Sequence, residues 1–168
     1  CDGNCTVDID CNGDCGGDAV VDCAGECGGS AVEDACGECD GDAISVADCL
    51  QYFTDLPDET GQASLVIILD GMDLEVGDEV GLFDSNGVID SDGNTGEILV
   101  GAAVWTGEQL DIVNVESIDL SQFGGPILPG YVTGNAITYK VWKASENAVY
   151  DAEAEYQVGT GVWGDILT

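Results

Sequence analysis

Residues 8 to 14 read DIDCNGD. They set oxygen-bearing side chains at alternate positions, Asp8, Asp10 and Asn12, followed by Gly13 and Asp14. Alternate side chains of a tightly turning loop converge on one point, and a glycine lets the backbone bend around it; a hard cation such as calcium needs such a donor set. The stretch opens like an EF-hand loop, but Ala19 stands at the twelfth position where a bidentate glutamate would close the site. A second acidic stretch, DSNGVIDSDGNTGE, runs from Asp84 to Glu97. Its candidate donors are Asp84, Asn86, Asp90, Asp92, Asn94 and Glu97. Asp90, Asp92 and Asn94 again alternate, with the expected glycine displaced to Gly96. The competing reading is a plain hairpin loop, because Asn-Gly and Asp-Gly favour tight turns.

The first stretch belongs to a repeat. A shift of twelve aligns Asp10, Asp22 and Asp34, then Gly13, Gly25 and Gly37, then Cys15, Cys27 and Cys39, then Gly17, Gly29 and Gly41. The repeat adds Asp18, Asp22, Glu26, Asp34, Glu38 and Asp42 to the candidate calcium ligands. A twelve-residue unit cannot bury a core, so stacked units need disulfides or metals. All nine cysteines lie in residues 1–49. That density points to an oxidising compartment, and the absence of histidine and of basic residues nearby disfavours the rival reading, zinc. Eight cysteines are expected to pair: Cys5, Cys11, Cys15, Cys23, Cys27, Cys36, Cys39 and Cys49. The favoured connectivity joins the last cysteine of a unit to the first of the next, as Cys5–Cys11, Cys15–Cys23, Cys27–Cys36 and Cys39–Cys49. It tolerates the one-residue slip at Cys36. The alternative closes each unit on itself, as in Cys11–Cys15. Cys1 is left over and is a candidate for an intermolecular bond.

Charge excludes several classes of function. The chain has 34 acidic residues against two lysines, no histidine and a formal charge of −32. Nucleic acids and anionic membranes both need basic patches. Without histidine or arginine there is no Ser-His-Asp or Cys-His catalysis and no arginine-assisted phosphoryl transfer. Paired carboxylates could hydrolyse glycosides. With 34 acids, however, no pair stands out, and no enzyme is expected. No apolar run is long enough to span a membrane.

Residues 50–168 change character. Short runs rich in Val, Ile, Tyr and Trp alternate with Gly, Asn and Asp, which predicts antiparallel strands at 64–69, 79–83, 98–105, 109–115, 136–142, 148–151 and 152–158. The fold class expected is mainly β: a disulfide- and calcium-stapled repeat rod, 1–49, followed by an antiparallel β-sandwich, 50–168. Trp105, Trp142 and Trp163 could stack on sugar rings, but tryptophans on strands of a small sandwich more often form core.

DIDCNGD resembles the calcium repeats of the thrombospondin type 3 and dockerin kind. The later unit DCAGECGG is closer to Cys-, Gly- and Asp-rich repeats of large secreted bacterial surface proteins. The run Gly77-Asp78-Glu79-Val80 with Phe83-Asp84, then Val100-Gly101-Ala102-Ala103-Val104-Trp105, then Ile137-Thr138-Tyr139-Lys140-Val141-Trp142 resembles a β-sandwich domain of such proteins. The resemblance implies an adhesive or structural module without catalysis. The function expected is therefore an extracellular or cell-surface structural protein stabilised by several calcium ions. It would be a subunit of a filament, stalk or adhesin, forming a head-to-tail homopolymer. The alternative is a carbohydrate-binding or adhesive module, with a glycan ligand and the repeats as linker.

Overall fold

A computed structural model of the chain describes residues 8–41, 43, 49–71 and 73–165. It divides the chain into two compact units, Cys1–Cys49 and Leu50–Thr168. The positions expected to act at Cys1, Cys5 and Asp42 lie outside the described residues.

None of the described residues of the first unit is buried. Among its described residues the β-pairing consists of three isolated antiparallel bridges, Ile9 with Cys15, Val21 with Cys27 and Glu33 with Cys39, one per repeat. Ile9, Val20, Val21 and Val32 are all more than half exposed. Hydrophobic burial therefore contributes little here, as a unit of twelve residues requires.

The second unit is built from antiparallel strands. They are β1 (Ala63–Ile68), β2 (Glu79–Val88), β3 (Thr95–Val104), β4 (Leu110–Val115), β5 (Ile118–Asp119), β6 (Ile127–Leu128), β7 (Ile137–Lys143) and β8 (Ala148–Ala152). Four form one sheet in the order β3-β2-β7-β8, β1 pairs with β4, and β5 pairs with β6. Val66 of β1 and Leu110 and Ile112 of β4 share a core with Val80, Leu82, Val100, Ile137, Tyr139 and Val141 of the large sheet. A second cluster, Phe53, Phe83, Leu99 and Trp142, covers other side chains of the same strands, with Leu56 and Val149 packed against it. The large sheet thus buries apolar side chains on both faces, which is why Leu82 and Phe83, Leu99 and Val100, and Val141 and Trp142 stand as consecutive apolar residues. Trp105, Trp142 and Trp163 are all buried, Trp163 stacked on Tyr131.

Two expectations need correction. The run 152–158 alternates Ala, Ala, Tyr and Val with Glu, Glu and Gln, yet β8 stops at Ala152 and residues 153–160 are exposed. The last β7–β8 pair is Tyr139 with Ala152. Beyond it the edge of β7 is already taken, because Ile137 N–H donates to Gly161 O and Ala136 bridges Val162. Alternation needs a free neighbouring strand to become a ladder, and here there is none. The second correction concerns Asp84–Asn86, expected in a loop. They continue β2, which reaches Val88 through two register shifts against β3. Such irregularities let a strand carry polar residues outward without ending.

Candidate cation-binding turns and buried carboxylates

Each repeat folds around the aspartate of its first column. Asp10 Oδ1 accepts the N–H groups of Asn12 and Asp14 at 3.1 and 2.8 Å. Asp22 Oδ1 does the same for Ala24 and Glu26 at 3.0 and 2.9 Å, and Asp34 Oδ1 for Cys36 and Glu38 at 2.9 and 2.8 Å. The other oxygen reaches into the next repeat. Asp22 Oδ2 accepts Ala31 N–H at 3.1 Å, and Asp34 Oδ2 accepts Ala43 N–H at 3.2 Å. Short acidic side chains favour such local bonds to backbone N–H groups.

The two glycine columns follow from this turn. Gly13, Gly25 and Gly37 sit at φ of 88°, 83° and 79°, where other residues are strained. At Gly17, Gly29 and Gly41 a Cβ would collide with Oδ2 of Asp10, Asp22 and Asp34. The N–H bond from Glu26, with those from Ala31, Ala24 and Gly25, outweighs desolvation and holds the Asp22 carboxyl below its ordinary range; Glu38 leads the same effect at Asp34. A carboxyl lowered in the folded state stabilises the turn at neutral pH. That contribution is lost as acid titrates the folded carboxyl.

The disulfides join repeats in an interlaced series: Cys11–Cys27, Cys23–Cys39 and Cys36–Cys49, with Cα–Cα distances of 5.5, 5.5 and 5.3 Å. Both connectivities drawn from the sequence are overturned. The turn at Asp22–Glu26 folds Cys27 back beside Val21. There it meets Cys11 of the preceding unit, not Cys36 of the following one. Each bridge starts inside the loop closed by the one before it. The slip at Cys36 has a cause in the turn: its N–H takes the place of the Asn12 and Ala24 N–H groups against the column aspartate, so the turn is intact. Its bridge spans 13 positions where the others span 16. Cys15 is disulfide-bonded as well.

The remaining candidate ligands of the first unit, Asp8, Asn12, Asp14, Asp18, Glu26 and Glu38, are exposed. Among the described residues no three acidic or cysteine side chains already converge as a metal-holding group. The column aspartates are half-buried and bonded to N–H groups, which leaves lone pairs on each carboxylate.

The acidic stretch of the second unit contains the same turn once more. Asp90 Oδ1 accepts N–H from Asp92 and Asn94 at 3.0 and 3.1 Å, Oδ2 accepts Asn94 Nδ2 at 2.7 Å, and Gly93 has φ 80°. The turn glycine is Gly93 rather than Gly96. The other expected ligands are dispersed. Glu97 lies on β3, paired with Lys140 Nζ at 2.6 Å over the Phe83 ring. Asp84 is fully buried in β2 and accepts the N–H groups of Asn86 and Val132, both at 2.9 Å, and Asn135 Nδ2 at 3.0 Å.

Two further buried carboxylates, Asp78 and Glu79, belong to no acidic motif, because Gly77–Val80 reads only as the opening of a strand. Asp78 accepts Lys143 Nζ and Glu75 N–H at 2.8 Å and Ala144 N–H at 3.0 Å. Burial opposes its ionisation, but these partners outweigh that and hold its carboxyl below the ordinary range. Glu79 accepts N–H groups from Gln51, Tyr52 and Phe53, the last at 2.8 Å, and has no cationic partner among the described residues. Both lysines thus offset carboxylates. Beside this segment lies an open groove of about 770 Å³, lined among others by Tyr52, Leu56, Phe83, Leu99 and Lys140.

Fold and site together define a disulfide-bonded, mainly antiparallel β protein of two units, with no helix among the described residues long and apolar enough to cross a membrane. No family model, curated protein or solved structure matches the chain.

Proposed function

We propose that the chain is a secreted, calcium-stabilised structural protein, a subunit of an extracellular filament, stalk or adhesin that assembles head to tail. The observation that carries this reading is the make-up of the first unit. Among its described residues nothing is buried, and covalent bridges and carboxylate-capped turns hold it together. Such a segment offers no enclosed site for a substrate and makes a spacer. Its outward carboxylates repel one another in a chain of formal charge −32, and a cation relieves that repulsion. Calcium suits exposed, flexible oxygen donors better than magnesium, which demands a rigid octahedron and keeps its waters. Calcium shared between subunits likewise offsets their mutual repulsion. Disulfides agree with an oxidising extracellular compartment.

The test is electron microscopy of native material prepared without reductant. Polymers that shorten or vanish in EGTA are expected. A monomer at high concentration in millimolar calcium would refute the filament reading and move the weight to an adhesive or glycan-binding module, which a glycan array would then examine.

A further inference from the structure

β1 is an edge strand without any of the usual guards. Within its sheet it pairs with β4 alone, in continuous register from Ala63 with Val115 to Ile68 with Leu110. Gln62 O accepts Glu116 N–H at 3.1 Å one step before this ladder. Counting from there, Ala63, Leu65 and Ile67 turn their N–H and C=O groups away from β4. No other described backbone group bonds to them. The far edge of β4, by contrast, is partly occupied, since Val115 O accepts Tyr131 N–H at 2.9 Å. Natural edge strands are normally protected by lysine, proline, a bulge or an inward charge. β1 reads ASLVII and has none of them.

Its neutrality singles it out in so acidic a chain. Of the strands longer than two residues, each of the others carries a charged side chain: Glu97 on the edge strand β3, Asp151 on the edge strand β8, Asp111 on β4. The exposed side chains of β1 itself are apolar, with Leu65 44% exposed and Ile67 40%; across the ladder Leu65 faces Val113, 64% exposed, and Ile67 faces the exposed Asp111, which lies on β4 and away from the open edge.

We infer that β1 is the seam through which two copies of this chain join, β1 against β1 antiparallel across a two-fold axis, giving a continuous sheet β4-β1-β1-β4. A two-fold contact brings the same surface to itself. An uncharged strand is the kind of edge that can meet its own copy when each chain carries −32. A basic partner would find no carboxylate on β1 to attract it and would be drawn to β3 or β8. Leu65 is the middle of the three residues with free backbone groups, so it faces its own copy on the axis, and Ile67 faces Ala63 of the partner. Leu65, Ile67 and Val113 of both copies then form one apolar stripe along the seam. The seam is independent of the calcium-linked filament contact, because it closes on two copies and uses no carboxylate.

The test is sedimentation equilibrium of the full chain in EGTA and about 0.5 M NaCl, which removes calcium contacts and screens long-range repulsion. The wild type is expected to be a dimer. Leu65→Glu and Leu65→Lys each place like charges face to face and raise the dissociation constant at least about tenfold, with the far-UV circular dichroism of the folded chain unchanged. Mixing the two variants restores the dimer, because a glutamate then meets a lysine across the axis. A monomeric wild type, variants that dimerise as the wild type does, or a mixture that stays monomeric would each overturn the seam. None of these results bears on whether polymers form in calcium.

Discussion

Reduction in calcium-free buffer is expected to unfold the first unit and to leave the second intact. No described side chain of the first unit is buried, and each backbone bridge is a single pair. What remains is the restriction of the unfolded chain by the disulfides. Loops closed over 16, 16 and 13 positions each contribute about 3 kcal/mol by loop entropy. Together they match the whole stability of an ordinary small domain. Without them the turns must form against the repulsion of uncompensated carboxylates, and a turn made of a few exposed hydrogen bonds does not persist alone. Amide spectra with and without reductant read this directly. Resonances of the repeats should collapse to random-coil positions while those of β2, β3 and β7 stay dispersed. Repeats that keep their dispersion when reduced would show that something other than the bridges holds them.

The second large effect is expected at Glu79. Its buried carboxylate is the acceptor for the N–H groups of Gln51, Tyr52 and Phe53. Those residues bring Phe53 onto Phe83 and Tyr52 onto Trp142. Glu79→Ala strands three N–H groups beside an apolar cluster at about 1–3 kcal/mol each, partly relieved by water, so about 4 kcal/mol in all. For a unit of this size that corresponds to about 15 °C in melting temperature. Glu79→Gln keeps the shape but turns an amide NH2 toward donors, and should lie between. A calorimetric scan in which Glu79→Ala melts within about 3 °C of the wild type would mean that the segment is anchored by its aromatic contacts alone.

Much of this arrangement was legible in residue order. The change at residue 50 marks where twelve-residue spacing gives way to β-branched and aromatic runs, and six of the seven expected strands fall on observed ones. The seventh, 152–158, has a good pattern but no vacant neighbour, which is a property of the tertiary fold. The Asp–Gly–Gly columns were visible as columns. The backbone N–H bonds they accept were not, because in sequence an aspartate that accepts N–H groups reads the same as one that binds a cation. Disulfide pairing depends on where each turn returns the chain, so spacing alone pointed to cysteines adjacent in sequence, whereas the bonds pass over two cysteines, or one for Cys36–Cys49. The burial of Asp78, Glu79 and Asp84 was not legible. Strand pattern suggests their faces but not the N–H groups that arrive from residues 51–53, 132 and 144.

Calcium is the point on which the account depends most. Melting of the oxidised chain in millimolar calcium and in EGTA compares folding with and without the cation, since a ligand of the native state raises its stability by mass action. The account predicts that EGTA lowers the melting temperature by at least about 10 °C. Magnesium should restore only a small part of that shift. Superimposable curves in calcium and EGTA would contradict it.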